Sequence, residues 1–195
     1  MGYKKLLTAF LLIFAATLES RDILLEAKAA YFFSTNKLFR DIYGAGSGLY
    51  GGEITAELGH DIYIWGNGSF FTKKGRSIGE CNPTKVTLIP LSAGLKYMHS
   101  LRRSDLYLGL GALATHLTTC DDSPYVCRKQ SKWGFGGIVK SGVFIHVARS
   151  FYFDIFADYS FIKVHFSKCC DKQVQSHSAP LDGMSLGIGL TYRFD

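Results

Sequence analysis

After residue 22 the chain holds no stretch of about 18 residues that stays apolar, so nothing beyond that point can cross a bilayer as a helix. It also lacks a basic helix and the aromatic-plus-basic pattern of RNA-binding modules. Nucleic acid is therefore not an expected partner, despite a formal charge of +6. No spacing of Cys and His matches a zinc finger or ribbon, so neither a metal nor a cofactor is expected.

What is present begins at the N-terminus. Lys4 and Lys5 precede an apolar run from Leu6 to Leu18, within and after which stand the small or polar residues Ala15, Ala16, Thr17 and Ser20. This is the layout of a secretory signal peptide. The run is shorter than the roughly 20 residues of a membrane anchor before Glu19, Arg21 and Asp22 stop it. Residues 1–20 are expected to be a signal peptide and 21–195 one exported domain, with the cleavage site left open. Export places the five cysteines where disulfides persist.

The rest of the chain alternates. Met184, Leu186, Ile188, Leu190, Tyr192 and Phe194 interleave with Ser185, Gly187, Gly189, Thr191 and Arg193. A period of two with one apolar and one small or polar face marks a strand, and its length suits a tilted membrane strand. The same pattern recurs in Phe151–Phe161, Val139–Val147, Leu106–Thr115, Ile89–Tyr97, Ile62–Asn67, Glu53–Leu58 and Leu25–Phe33, giving eight strands. Pro90 has no N–H to give to a ladder and predicts a bulge or the outer end of its strand.

The connections alternate too: long (about 35–47), short, long (about 72–84), short, long (about 119–132), short and long (about 166–182). That is the rhythm of a membrane barrel with short periplasmic turns and long outer loops. In hydrocarbon an unpaired backbone group costs several kcal/mol, so the strands must close on themselves, and eight is the smallest common number. The expected fold is an all-β, eight-stranded antiparallel up-and-down transmembrane β-barrel preceded by a signal peptide. A soluble secreted β-sandwich is the rival.

Parity places Glu26, Glu53, Glu57, Asp154 and Asp158 inside the barrel with Lys28, Lys96, Lys140 and Arg193, and His146 nearby. Buried charges must be paired, which predicts an ion-pair network filling the lumen. A proton-linked or metal site at Asp154, Asp158 and His146 is the less favoured reading of the same residues.

With these features the chain resembles the small eight-stranded outer-membrane barrel superfamily, which contains the OmpA membrane domain, OmpX and OmpW. The closing segment GMSLGIGLTYRF is similar to the family's signal for the barrel-insertion machinery, although Asp195 follows the terminal aromatic Phe194. The resemblance implies the cell outer membrane, with its lipid and lipopolysaccharide as partners. It does not choose among adhesins, envelope anchors, narrow channels and lipid-modifying enzymes.

All five cysteines fall in expected long loops. Cys120 and Cys127 would close one small loop, and Cys81 would pair with Cys169 or Cys170, leaving one thiol over for an intermolecular bridge. Their placement resembles a disulfide-linked cell envelope, which makes other envelope proteins expected partners. His165 and Ser167, near the outer end of the seventh strand, resemble the His-x-Ser of the lipid A deacylase barrels. Asp182 would then be the acid of an acyl-ester hydrolase. Lys168, Cys169 and Cys170 depart from that family's next residues. Lys73, Lys74, Arg76, Lys85, Arg128, Lys129, Lys132, Lys168 and Lys172 would ring the outer rim, facing solvent or lipopolysaccharide phosphates. Tyr31, Phe32, Phe33, Phe70 and Phe71 would form an interfacial girdle. The function expected is a barrel displaying disulfide-braced surface loops for envelope integrity or surface binding, with catalysis less favoured. A narrow channel for small apolar solutes is a further alternative.

Overall fold

The computed structural model describes residues 22–76, 83–121, 129–165 and 178–194. The expected signal peptide lies outside them, as do Ser167, Cys81, Cys127, Cys169 and Cys170. In chain order the elements are β1 (Ile23–Ser34), helix α1 (Lys37–Tyr43), β2 (Gly46–Gly59), β3 (Ile62–Arg76) and β4 (Pro83–Ser100). They continue with β5 (Ser104–Asp121), β6 (Lys129–His146), β7 (Phe151–His165), β8 (Ser178–Pro180) and β9 (Gly183–Phe194).

Every strand through β7 pairs antiparallel with its sequence neighbour. β9 lies between β7 and β1, pairing with β1 from Ile23–Phe194 to Ser34–Gly183, which closes the sheet. β8 and β9 hold the same register on β7 and together form one stave, so the barrel has eight. Closure leaves no free edge, as a sheet in hydrocarbon requires.

The pleat sorts the side chains. Tyr107 is 4% exposed while its neighbour Leu108 is 58% exposed. Leu95, Leu110, Phe135, Ile188 and Leu190 are likewise more than half exposed around the outside. An apolar exterior of this extent belongs against hydrocarbon rather than water.

The first short turn is tight. β2 and β3 are joined through His60 and Asp61, both with positive φ (53° and 65°), after Gly59 at φ 116°. Two left-handed residues give the turn a twist that matches the strands it joins.

Four expectations change. The first long connection is not wholly irregular: Asn36 caps α1 by accepting from the Phe39 N–H at 3.1 Å, and Gly44 at φ 79° ends it. Its seven residues are too few for a 3.6-residue period to stand out. Pro90 lies inside β4 without a bulge. The β3–β4 ladder skips Ser69 and Phe70 opposite Ile89 and Pro90, then resumes in the same register. One missing donor is thus absorbed as a gap rather than a shift. β3 to β6 also extend farther outward than expected, to Arg76 and from Pro83, and to Asp121 and from Lys129. Finally, Phe32 and Phe71 are buried in the lumen, while Tyr31, Phe33 and Phe70 face out. Adjacent strand residues cannot share a face.

The eighth stave breaks at Leu181 and Asp182. There the Ile162 N–H donates to the Asp182 carboxylate at 3.0 Å in place of a backbone carbonyl, and the Thr35 N–H donates to the Asp182 carbonyl at 3.0 Å. Asp182→Ala is expected to cost about 1–3 kcal/mol by leaving the Ile162 N–H without an acceptor. Asp182→Asn keeps an oxygen there and should retain most of that stability, as measured by unfolding in urea.

Candidate functional site

The lumen has a charged layer between an outer apolar layer and an aromatic and apolar cluster of Leu24, Tyr63, Met98, Phe144 and Tyr152. In the charged layer, Glu53 on β2 is the hub. Lys96 donates to its Oε1 at 2.6 Å, Lys140 donates to its Oε2, and Lys28 reaches the same oxygen at 3.5 Å. Thr55 adds a hydroxyl at 3.3 Å. Lys28 also lies 3.7 Å from Glu26 and 4.0 Å from Asp154, and Lys140 lies 3.5 Å from Asp158. Tyr107 donates to Asp154 at 2.8 Å.

Each lysine is covered by an aromatic face: Lys28 by Phe156 at 3.8 Å, Lys96 by Tyr107 at 4.3 Å and Lys140 by Trp65 at 4.4 Å. A cation without its hydration shell gains most from such a ring. The layer is buried. Glu53, Lys96 and Lys140 are each 1% exposed.

Of the charges assigned to the interior by parity, the structure brings together Glu26, Lys28, Glu53, Lys96, Lys140, Asp154 and Asp158. Arg193 instead clamps the end of the barrel that carries the short turns, donating through Nε to Asp22 at 3.0 Å and through Nη1 to Tyr152 at 3.3 Å. Glu57 is half-buried toward the same end. His146 pairs with Asp105 at 3.0 Å rather than with Asp154 or Asp158. No group of three or more potential metal ligands occurs among the described residues.

Parity passed over several partners. Tyr107 and Trp65 are inward aromatics whose role emerges only once the lysines are placed. Asp105 stands on the inner face one residue before the strand as read from the sequence.

The outer layer, toward the long connections, is apolar. Phe32, Phe71, Leu88, Leu113, Leu117 and Ile162 pack there, and Phe39 of α1 closes over them. The Phe71 ring lies 5.5 Å from Phe32, edge-on, and 6.4 Å from Phe39. Where the layers meet is a cavity of about 70 Å³, floored by Lys28 and Asp158 and walled by Phe71, Leu113 and Ile162. Thr115 Oγ1 and Asp158 Oδ1 have no hydrogen-bond partner among the described residues, and both residues line this cavity. A volume of that size holds a few waters or one very small solute.

The remaining candidates are scattered. Asp182 commits one carboxylate oxygen to β7. His165 ends that strand, and its Ser167 partner lies outside the described residues. Of the cysteines only Cys120 is described, exposed and without a disulfide among those residues.

No family model and no curated protein matches the chain. Solved structures do. The outer membrane protein OprG from Pseudomonas aeruginosa superposes with a TM-score of 0.58 at 16% identity, covering 89% of this chain and 95% of that one. Outer membrane protein W of E. coli gives 0.55 at 17%, covering 90% and 99%. Neisserial surface protein A gives 0.54 at 17%, covering 88% and 97%. At such identities the likeness is one of fold: this chain is built as the small eight-stranded outer-membrane barrels are.

Proposed function

We propose that the chain is an exported outer-membrane barrel that works as a plugged scaffold, holding its outer connections at the cell surface for envelope integrity or surface binding. The observation that carries this reading is the Glu53 plug. A lumen filled by a buried ion-pair layer resists deformation and leaves no continuous aqueous path. Residues 1–20 act as the signal peptide in this reading, and the alternating C-terminal strand engages the insertion machinery. Lipid and lipopolysaccharide surround the apolar exterior. Cys120 stands at the outer end of β5, where the sequence also concentrates the other cysteines, so disulfide bracing of the loops or bridging to other envelope proteins belongs to the same proposal.

Two measurements test it together. In planar bilayers the purified barrel is expected to show no stepwise conductance. On intact cells a membrane-impermeant maleimide is expected to label cysteine at the surface, with more labelling after reduction. Steady conductance would overturn the plugged scaffold, and labelling only after permeabilisation would overturn surface display.

A second reading has its own support. The apolar outer layer and the cavity beneath it suit a small apolar solute, with α1 as the cover. Saturable binding of such a solute in calorimetric titration, lost when Phe71→Trp fills the cavity, would favour this over the scaffold alone. The hydrolase reading with His165, Ser167 and Asp182 predicts loss of acyl chains from lipid A that depends on Ser167.

A further inference from the structure

The outer face of β3 to β6 is stratified in a way that the lumen does not explain. Register aligns outward residues of these strands into rows that run across the strands, inclined to the membrane plane by the tilt of the staves. The uppermost sets Lys74 directly opposite Lys85, with Cys120 next in the row by register. Below it are four hydroxyl residues, Thr72, Thr87, Thr118 and Ser131. The next contains His116 and Trp133, with His116 Nε2 2.7 Å from Ser131 Oγ and the two rings 5.0 Å apart. Beneath lies an apolar hollow floored by Gly66, Gly68, Ala93, Ala112 and Ala114 and walled by Leu91 and Phe135.

We propose that this face binds one phosphorylated, multiply acylated lipid of the lipid A type, its phosphate between Lys74 and Lys85, its sugar against the hydroxyl row and one acyl chain in the hollow. The site rests on the outer-membrane reading above and names the lipid and the face.

Three observations carry it. Like charges directly opposite on neighbouring strands repel, and neither Lys74 nor Lys85 has an acidic partner among the described residues, so an anion between them relieves a standing cost. The hydroxyl row stands one leaflet above the floor of the hollow. From the hydroxyl row to the Gly66 row is six residues, about 20 Å along the strand and roughly 14 Å along the normal at a tilt near 45°, half of a ~30 Å hydrocarbon core. The hollow is also real space: a Cβ on Gly66 would meet nothing within 4 Å. A second copy of this chain fits less well, because it would bring another cationic row against the first.

The test uses the full barrel in detergent, with native mass spectrometry to read bound lipid. The probes are bisphosphorylated lipid A, the same lipid with its phosphates removed, and phosphatidylglycerol. The barrel is expected to prefer bisphosphorylated lipid A. Lys74→Glu with Lys85→Glu should weaken that binding roughly tenfold, since each cation near an anionic headgroup matters on this scale. Gly66→Leu with Ala112→Leu should weaken all acylated probes by filling the hollow. The shift in gel mobility between boiled and unboiled samples reports folding, and the lysine pair, at the exposed rim, tests the site even if the filled hollow impairs folding.

Equal binding of phosphatidylglycerol, or lipid A binding unchanged in the lysine variant, would mean ordinary surrounding lipid and overturn the site. A wild-type chain with no mobility shift would instead sink the barrel reading on which the site rests.

Discussion

Glu53→Ala is expected to destabilise the barrel by about 3–5 kcal/mol, the cost of removing one partner from a buried ion pair, and to give the shut lumen a measurable conductance. The reason lies in how the lysines are shared. Lys28 keeps Glu26 and Asp154, and Lys140 keeps Asp158. Among the described residues Lys96 has Glu53 as its only ion-pair partner, so the variant strands a cation between the Tyr107 and Phe144 rings at 4.3 and 5.4 Å. Rings soften that cost but do not replace a carboxylate. Urea unfolding of the barrel in vesicles reads the stability and planar bilayers read the conductance.

Two companions sharpen the result. Glu26→Gln should cost far less, since the ion pair of Glu26 with Lys28 spans 3.7 Å and Lys28 keeps Glu53 at 3.5 Å. Glu53→Met combined with Lys96→Met should recover part of the loss, because an apolar pair of similar volume carries no desolvation cost. If Glu53→Ala were as stable as the parent and electrically silent, the plug would be ornamental and the scaffold reading would fail.

Phe71→Ala is expected to cost a similar amount, about 3–5 kcal/mol for emptying a buried phenyl site, yet to leave the lumen shut. Phe71 is 1% exposed and anchors the outer layer between Phe32 and Phe39. Its loss enlarges the existing cavity rather than the ionic plug below. The variant should therefore unfold at lower urea while conductance stays at baseline and small apolar probes bind more readily. Ion flow through Phe71→Ala would show that the apolar layer, not Glu53, is the barrier.

How much of this was legible depends on the range of the interaction. Face assignment was, because a pleated strand repeats every two residues and needs no knowledge of its neighbours: Tyr107 in and Leu108 out can be read in isolation. α1 was not, since seven residues offer no sustained period. The apolar outer layer was hidden for a different reason. Val86 and Leu88 face in while Ile89 and Leu91 face out, so the segment reads as a run without alternation. Asp182 could be noticed as an acid near His165, but its bond to the Ile162 N–H belongs to a break in a stave that no local pattern marks.

The existence and order of the staves, the faces of their alternating stretches and the rhythm of short and long connections could be read from the chain, because each follows from backbone geometry over a few residues. Only the tertiary structure decided which residues meet. Lys96 and Lys140 converge on Glu53 from positions 43 and 87 residues away, and Lys74 faces Lys85 across one ladder. Such meetings are fixed by closure and stagger, collective properties of all eight staves, and no single strand carries them.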